Sequence, residues 1–357
     1  VSGALDSAVG GAVLRLGTRR SALARTQSEH VAQALRERTG RAVELVEVTT
    51  EGDVSRAPLS SLGGTGVFAT ALRDALLAGR VDLAVHSLKD LPTAPADGLV
   101  VAAVPPREDP RDVLVASGGR SLDGLPAGAR VGTGSPRRAA QLRALRPDLE
   151  VVDVRGNVDT RLRFVADGQL DAVVLARAGL LRLGRADEAT DVLDTDRLLP
   201  APGQGALAVE CRSDDADVRA VCALLDDASS RAATIAERAL LAALEAGCAA
   251  PVGALAVTDA DGELRLTGLV AALDGSATVV RTGSGPREQA ADLGRRVAEQ
   301  LLASGSPALA PLAPSSSSTS SADPVHPETP RTSSAAPQPA SNAHDTAATA
   351  PPERVHL

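Results

Sequence analysis

Along residues 13–200, short runs of aliphatic and β-branched residues alternate with stretches whose apolar positions recur three and four apart. That alternation predicts strands and crossover helices of an α/β sheet. Residues 13–16 read as a strand, 21–38 as a helix stopped near Gly40, and 44–50 as the next strand. A helix over 67–78 closes at Gly79, and 82–85 is a buried strand. Pro92, Pro95, Pro105, Pro106 and Pro110 interrupt the pattern, which then restarts with strands at 112–116, 151–154 and 172–175. Ser135 followed by Pro136 has the chemistry of a helix start, a hydroxyl cap and then a residue whose missing N–H costs nothing in the first turn. The restart predicts two similar lobes joined at a hinge, with a crossing back near residues 200–205.

From about Ser229 the rhythm changes. A long helix over 231–246 leads to Cys248, and three strand-like runs follow. Asp261-Gly262 and Asp274-Gly275 join those runs as tight hairpin turns. A final helix over 287–303 packs on the antiparallel sheet, completing a small third domain. Residues 304–357 are rich in Ser, Pro, Ala and Thr. Such a segment buries too little apolar surface to offset its ordering entropy, so a disordered tail is expected.

Composition sharpens this picture at a few positions. With 37 basic and 45 acidic residues, the net charge is −8, which argues against a general nucleic-acid or anionic-membrane binder. No run of 18 apolar residues occurs. Residues 1–11 lack a basic stretch followed by an apolar core, so no secretory signal is read there. Cys211, Cys222 and Cys248 are too few and too irregularly spaced for a disulfide framework or zinc site, and a reducing cytoplasm is expected. Nearly all the positive charge is arginine: Lys89 is the single lysine. Met, Trp and Tyr are absent, Phe occurs twice, and Asn157 is the sole asparagine before the tail. A residue type that survives so strong a bias within an ordered segment is a candidate for chemistry, which singles out Lys89, Phe68 and Asn157.

Several segments place anion-binding chemistry where a strand hands over to a helix. Thr18-Arg19-Arg20-Ser21 does so in the first lobe. Gly132-Thr133-Gly134-Ser135-Pro136-Arg137-Arg138 repeats the design in the second. Main-chain N–H groups and the helix dipole favour an anion there, and guanidiniums clamp carboxylates in bidentate fashion. The bland account is a pair of capped helices with solvated arginines. Arg155, Arg161 and Arg182 belong to further segments of this kind, and clustering at strand C-termini favours a polycarboxylate site. His86-Ser87-Leu88-Lys89-Asp90 follows the strand at 82–85. A carboxylate among arginines stays ionised, so Asp90 suits stabilising a transient cation; His86 fits a structural role at least as well. Cys248 lies between a helix end and a strand, and its spacing alone proves no reactivity.

Taken in order, TRRSALA, GDV, GVFA, DLAVHSLKDLP, EDPRD, GTGSPRR, RGNVDTRL, APGQGALAVECR, AERALLAALEAGC and APVGA closely resemble the porphobilinogen deaminase family from about Val13 to Ala303. The resemblance implies an α/β fold of two lobes of the periplasmic-binding-protein type (type II) plus a small α+β third domain with a three-stranded antiparallel sheet. The first lobe would span 13–105 with 206–223, the second 111–199, and the cofactor-attachment domain 228–303. It implies that Cys248 holds a dipyrromethane covalently, through a thioether. Lys89, Ser135, Arg137, Arg138 and Arg155 would bind its acid side chains, and Asp90 would contact the pyrrole nitrogens as the catalytic carboxylate. Arg19, Ser21, Arg155, Arg161 and Arg182 would hold incoming substrate and growing chain. Phe68, against the cofactor ring region, and Gln204, in the interlobe crossover, would also belong to the substrate-binding set. Gly134 and Pro136 stand where the family often carries Ser and Leu, and Ala249-Ala250 replaces a bulkier pair.

The implied reaction joins four porphobilinogens head to tail with loss of ammonia, then releases hydroxymethylbilane by hydrolysis in tetrapyrrole (haem) biosynthesis. Each pyrrole brings an acetate and a propionate, for which arginines are natural partners. No metal or nucleotide is required, and a cytoplasmic monomer without nucleic-acid or membrane partners is expected. The competing reading is a two-lobe binding protein for an anionic metabolite, which would need neither Lys89 in its motif nor a cysteine-bearing third domain.

Overall fold

The computed structural model describes residues 12–49, 67–245 and 250–312. The first sheet is built from β1 (Leu14–Thr18), β2 (Val43–Glu47), β3 (Leu83–Ser87), β4 (Leu99–Ala103) and a late strand, β10 (Leu207–Arg212), in the order β2-β1-β3-β10-β4. β1 runs parallel to β2 and β3, whereas β10 is antiparallel to both its neighbours. Helices α1 (Ala22–Thr39) and α2 (Val67–Leu77) cross between strands of this sheet. β1, β3 and β10 lie inside the sheet and are buried at nearly every position, as strands covered on both faces are.

The second sheet repeats the plan. β5 (Asp112–Ala116), β6 (Arg130–Gly132), β7 (Glu150–Val152), β8 (Ala172–Ala176) and β9 (Asp191–Leu193) lie in the order β7-β6-β8-β5-β9. The fourth strand, β5, is again antiparallel to its neighbours. In each lobe this strand arrives from the other one: β5 follows the first connection, 104–111, and β10 follows the second, 194–206. The two connections touch. Glu108 N donates to Gly205 O at 3.2 Å, and a Cβ at Gly205 would lie 2.3 Å from Glu108 O, so only glycine fits this contact. Helices α3 (Pro136–Leu145), α4 (Val158–Ala166) and α5 (Arg177–Arg182) cover the second sheet, and α6 (Ala216–Ala223) follows β10.

In the third domain, α7 (Ala228–Ala243) and α8 (Ala290–Leu302) pack on the antiparallel meander β11 (Val252–Thr258), β12 (Glu263–Ala271) and β13 (Thr278–Pro286). Its core joins Ala236 and Leu240 of α7 to Leu264, Leu266, Val297 and Leu301. The helix expected over 231–246 begins earlier because Asp227 caps it, accepting from Ser230 N at 2.7 Å. The described part of the segment expected to be a disordered tail from residue 304 is structured: Pro307–Leu312 forms a 3-10 turn, Ala308 is wholly buried in the third domain's core and Leu309 packs against it. Composition hid this because two apolar residues are enough to seat the turn.

Candidate active site

The turn after β3 carries the chain's only lysine. Leu88–Asp90 forms one 3-10 turn, anchored by the buried Leu88 and by Leu88 N donating to Ala206 O at 3.0 Å. The third domain fixes it from another side. Arg238 of α7 donates through Nη1 to Leu91 O at 2.8 Å and through Nη2 to Pro92 O at 2.6 Å. Lys89 is half-buried and Asp90 exposed at the turn's end. Burial pushes the Lys89 ammonium down to about 8, assisted by the cations of Arg138 and Arg137 and opposed by Asp90 and Asp112.

Opposite this turn, β6 leads into α3. Ser135 caps the helix, accepting from Arg138 N at 3.5 Å, with Pro136 at the first position. A Cβ at Gly134 would lie 2.5 Å from Val154 O, so the side-chain-free turn passes directly over that carbonyl. Arg137 and Arg138 are only 3% and 5% exposed and converge on Asp112, which is 0% exposed at the start of β5. Arg137 donates Nη2 to Asp112 at 2.8 Å and Nη1 to Leu199 O at 2.6 Å. Arg138 donates Nε and Nη2 to Asp112 at 3.0 and 2.7 Å, and Nη1 to Val174 O at 3.1 Å. Burial alone would raise the Asp112 carboxyl, but the two guanidiniums hold it well below the usual range. Arg137 Nε is buried without a hydrogen-bond partner among the described residues.

The third strand end of the site follows β7. Arg155 is exposed, with Nε 3.7 Å from Asp153. Asn157 caps α4, accepting from Thr160 N at 2.9 Å, which accounts structurally for the rare asparagine. Arg161 donates Nε to Gly156 O at 3.0 Å. Burial lowers its guanidinium to about 10, together with the cations of Arg138 and Arg155, against Asp153 and Asp90.

Not every expected residue joins this group through its own side chain. Ser21 caps α1, accepting from Ala24 N at 3.3 Å, and Arg19 is half-buried just after β1. Arg182 donates Nη2 to Gly205 O at 2.7 Å and so braces the interlobe crossover. Gln204 is fully buried, its amide donating to Pro110 O at 2.7 Å and to Asp112 at 2.8 Å. Its Oε1 lies 3.4 Å from Lys89 Nζ. Cys248 lies outside the described residues, as does the side chain of Phe68. His86 is buried with Nε2 3.3 Å from Glu210, which Arg73 also clamps, so it belongs to the scaffold beneath the turn. Asp112, Arg107, Glu237 and Arg238 were not anticipated. Asp112 had one visible signal, an acid opening an otherwise apolar buried strand.

Cations thus gather at strand ends of both lobes, and a buried guanidinium N–H is left unpaired. Residues 14–220 match the family model described as "Porphobilinogen deaminase, dipyromethane cofactor binding domain", and residues 232–303 match that described as "Porphobilinogen deaminase, C-terminal domain". The chain belongs to the porphobilinogen deaminase family.

Porphobilinogen deaminase 1 of Streptomyces coelicolor is 60% identical over 308 residues, covering 83% of this chain and 97% of the relative. The porphobilinogen deaminase of Thermobifida fusca is 58% identical over 301 residues (82% and 94%), and that of Mycobacterium tuberculosis 57% over 302 (82% and 97%). Among solved structures, the methionine binding protein MetQ aligns over 60% of this chain and 89% of its own at 14% identity and a TM-score of 0.40. Porphobilinogen deaminases are transferases of tetrapyrrole biosynthesis. Membership in this family speaks against the solute-receptor alternative. The dipyrromethane cofactor fits the chemistry present: its acid side chains would meet the cations of Lys89, Arg137, Arg138 and Arg155, and Arg137 Nε is buried without a partner among the described residues.

Proposed function

We propose that this chain is a working hydroxymethylbilane synthase whose dipyrromethane is joined to Cys248 by a thioether. Lys89, Ser135, Arg137, Arg138 and Arg155 hold the cofactor's acetates and propionates. Arg19, Ser21, Arg155, Arg161 and Phe68 receive porphobilinogen and the growing chain. Arg182 and Gln204 act on that chain indirectly, by bracing the crossover on which both side chains already have protein partners. When bound, the cofactor supplies the free pyrrole α-carbon onto which substrate units are added.

The residues divide the work by charge. Guanidiniums neutralise carboxylates, so a polyanionic chain is drawn into the cleft and oriented. Asp90, exposed at the end of a fixed turn, accepts a hydrogen bond from pyrrole N–H and stabilises the positive charge that develops as ammonia departs. The observation that carries this reading is Gln204 Oε1, which lies 3.4 Å from Lys89 Nζ of the first lobe and 3.5 Å from Arg138 Nη2 of the second. Anion-binding cations of both lobes therefore meet beside the turn that ends on Asp90.

The enzyme is further proposed to act as a cytoplasmic monomer, and its net charge of −8 supports the absence of nucleic-acid and anionic-membrane partners. No described helix is long and apolar enough to cross a membrane. Purified protein given porphobilinogen should release one ammonia per substrate consumed and form hydroxymethylbilane. Binding of porphobilinogen without ammonia release would contradict the proposal and favour a receptor.

A further inference from the structure

Two adjacent guanidiniums buried to this degree need a counter-charge before any ligand arrives, because an unpaired buried charge is strongly unfavourable. Asp112 provides it, and does so with a fixed geometry. One of its oxygens receives Arg137 Nη2 at 2.8 Å; the other receives Arg138 Nε at 3.0 Å, Arg138 Nη2 at 2.7 Å and Gln204 Nε2 at 2.8 Å. One negative charge thus serves two positive ones. The cluster keeps a net positive charge, with Lys89 beside it.

Gln204 ties this cluster to the hinge. Its Nε2 also donates to Pro110 O at 2.7 Å on the first connection, while Gln204 itself sits on the second. Its Oε1 faces Lys89 Nζ at 3.4 Å and Arg138 Nη2 at 3.5 Å, one cation from each lobe. The amide orientation is set by these partners, since its N–H groups face two acceptors and its oxygen faces two donors.

We propose that Asp112 is a positioning residue for the reaction: it presents Arg137 and Arg138 as a preformed pair with one uncompensated charge, and through Gln204 it fixes that pair relative to Lys89 across the hinge. The proposal rests on the reading of the site given above, in which these cations receive the cofactor's carboxylates. It differs from a merely structural ion pair in what it demands. Charge balance alone would satisfy the core, whereas cofactor binding also needs the guanidiniums in place, and a displacement of about 1 Å is enough to matter greatly.

The test uses the full chain with Asp112→Asn and Asp112→Glu beside wild type. Folding is followed by far-UV circular dichroism on heating, since the chain has no Trp or Tyr to report by fluorescence. Cofactor is measured as Ehrlich colour per mole of protein. Asp112→Asn, if it melts cooperatively, is expected to carry about tenfold less cofactor than wild type or lower still. Asp112→Glu keeps the charge but moves it by one methylene; it is expected to fold, load severalfold less cofactor, and turn over more slowly per loaded molecule. Full loading of either folded variant would overturn the proposal. Failure of both to fold would also overturn it, by assigning Asp112 to the core alone. A wild-type protein without Ehrlich-reactive cofactor would instead contradict the cofactor reading itself, and the proposal with it.

Discussion

Arg107, on the first connection between the lobes, donates Nη1 and Nη2 to the two carboxylate oxygens of Glu237 on α7 at 2.6 and 3.1 Å. Glu237 is wholly buried and also accepts from Gly203 N at 2.6 Å and Ala256 N at 2.8 Å. A single carboxylate therefore holds both interlobe connections and the third domain's first strand. Together with Arg238, it makes α7 the element on which the hinge and the Leu88–Asp90 turn are both mounted.

Replacing Glu237 by Ala should leave a buried guanidinium and two backbone N–H groups without their partner. Breaking such a pair costs about 3–5 kcal/mol. A drop of many degrees in the melting midpoint is expected from far-UV circular dichroism, with cofactor loss following from unfolding. An unchanged midpoint would mean that the three domains are not fastened through this residue.

Asp90 should fail differently. Asp90→Asn is expected to melt like wild type and to keep its Ehrlich-reactive cofactor, because the cations that bind its carboxylates are untouched. Single-turnover rates should fall on the order of a hundredfold, the usual loss when one preorganised electrostatic group is removed. Wild-type rates would show that the carboxylate does not act on the developing cation.

Lys89 gives a pH dependence with a definite sign. Its ammonium is lowered to about 8, so it is charged below that pH and neutral above it. Assembly of cofactor on apo-protein from porphobilinogen should therefore weaken as pH rises through about 8. Lys89→Arg, which stays charged, should flatten this decline. A profile equally steep in the Arg variant would place the titrating group elsewhere.

Much of this arrangement was legible in the sequence because its strands are short, apolar and punctuated. The paired cap chemistry of Ser21 and Ser135 marked equivalent places in two lobes, and both serines do cap their helices. Strand β9, three residues that open on Asp191, offers too little for a period to register. β4 was masked by the prolines around it. The direction of a side chain was the harder matter. Nothing in its spacing says that Arg182 turns toward Gly205 O, or that Gln204 is buried between two lobes. Asp112, Glu237 and Arg238 owe their importance to contacts with residues 19 to 150 positions away, which a single linear pattern does not encode.

The end of the third domain can be checked by truncation. Stopping the chain after Gly305 removes Ala308 from the core formed with α7, β12 and α8, whereas stopping after Leu312 retains it. The shorter protein should melt several degrees lower than the longer one, since deleting buried apolar groups costs roughly 1 kcal/mol or more. Equal midpoints would show that the 3-10 turn adds nothing to the core.

The central claim is that a dipyrromethane is carried on Cys248, and mass spectrometry of the purified protein tests it most directly. Intact mass should exceed that of the bare chain by two pyrrole units, and peptide mapping should place the whole increment on Cys248. Cys248→Ser should lack the increment and be inactive, whereas Cys211→Ser and Cys222→Ser should retain it. Fully active protein with an unmodified Cys248 would contradict the account.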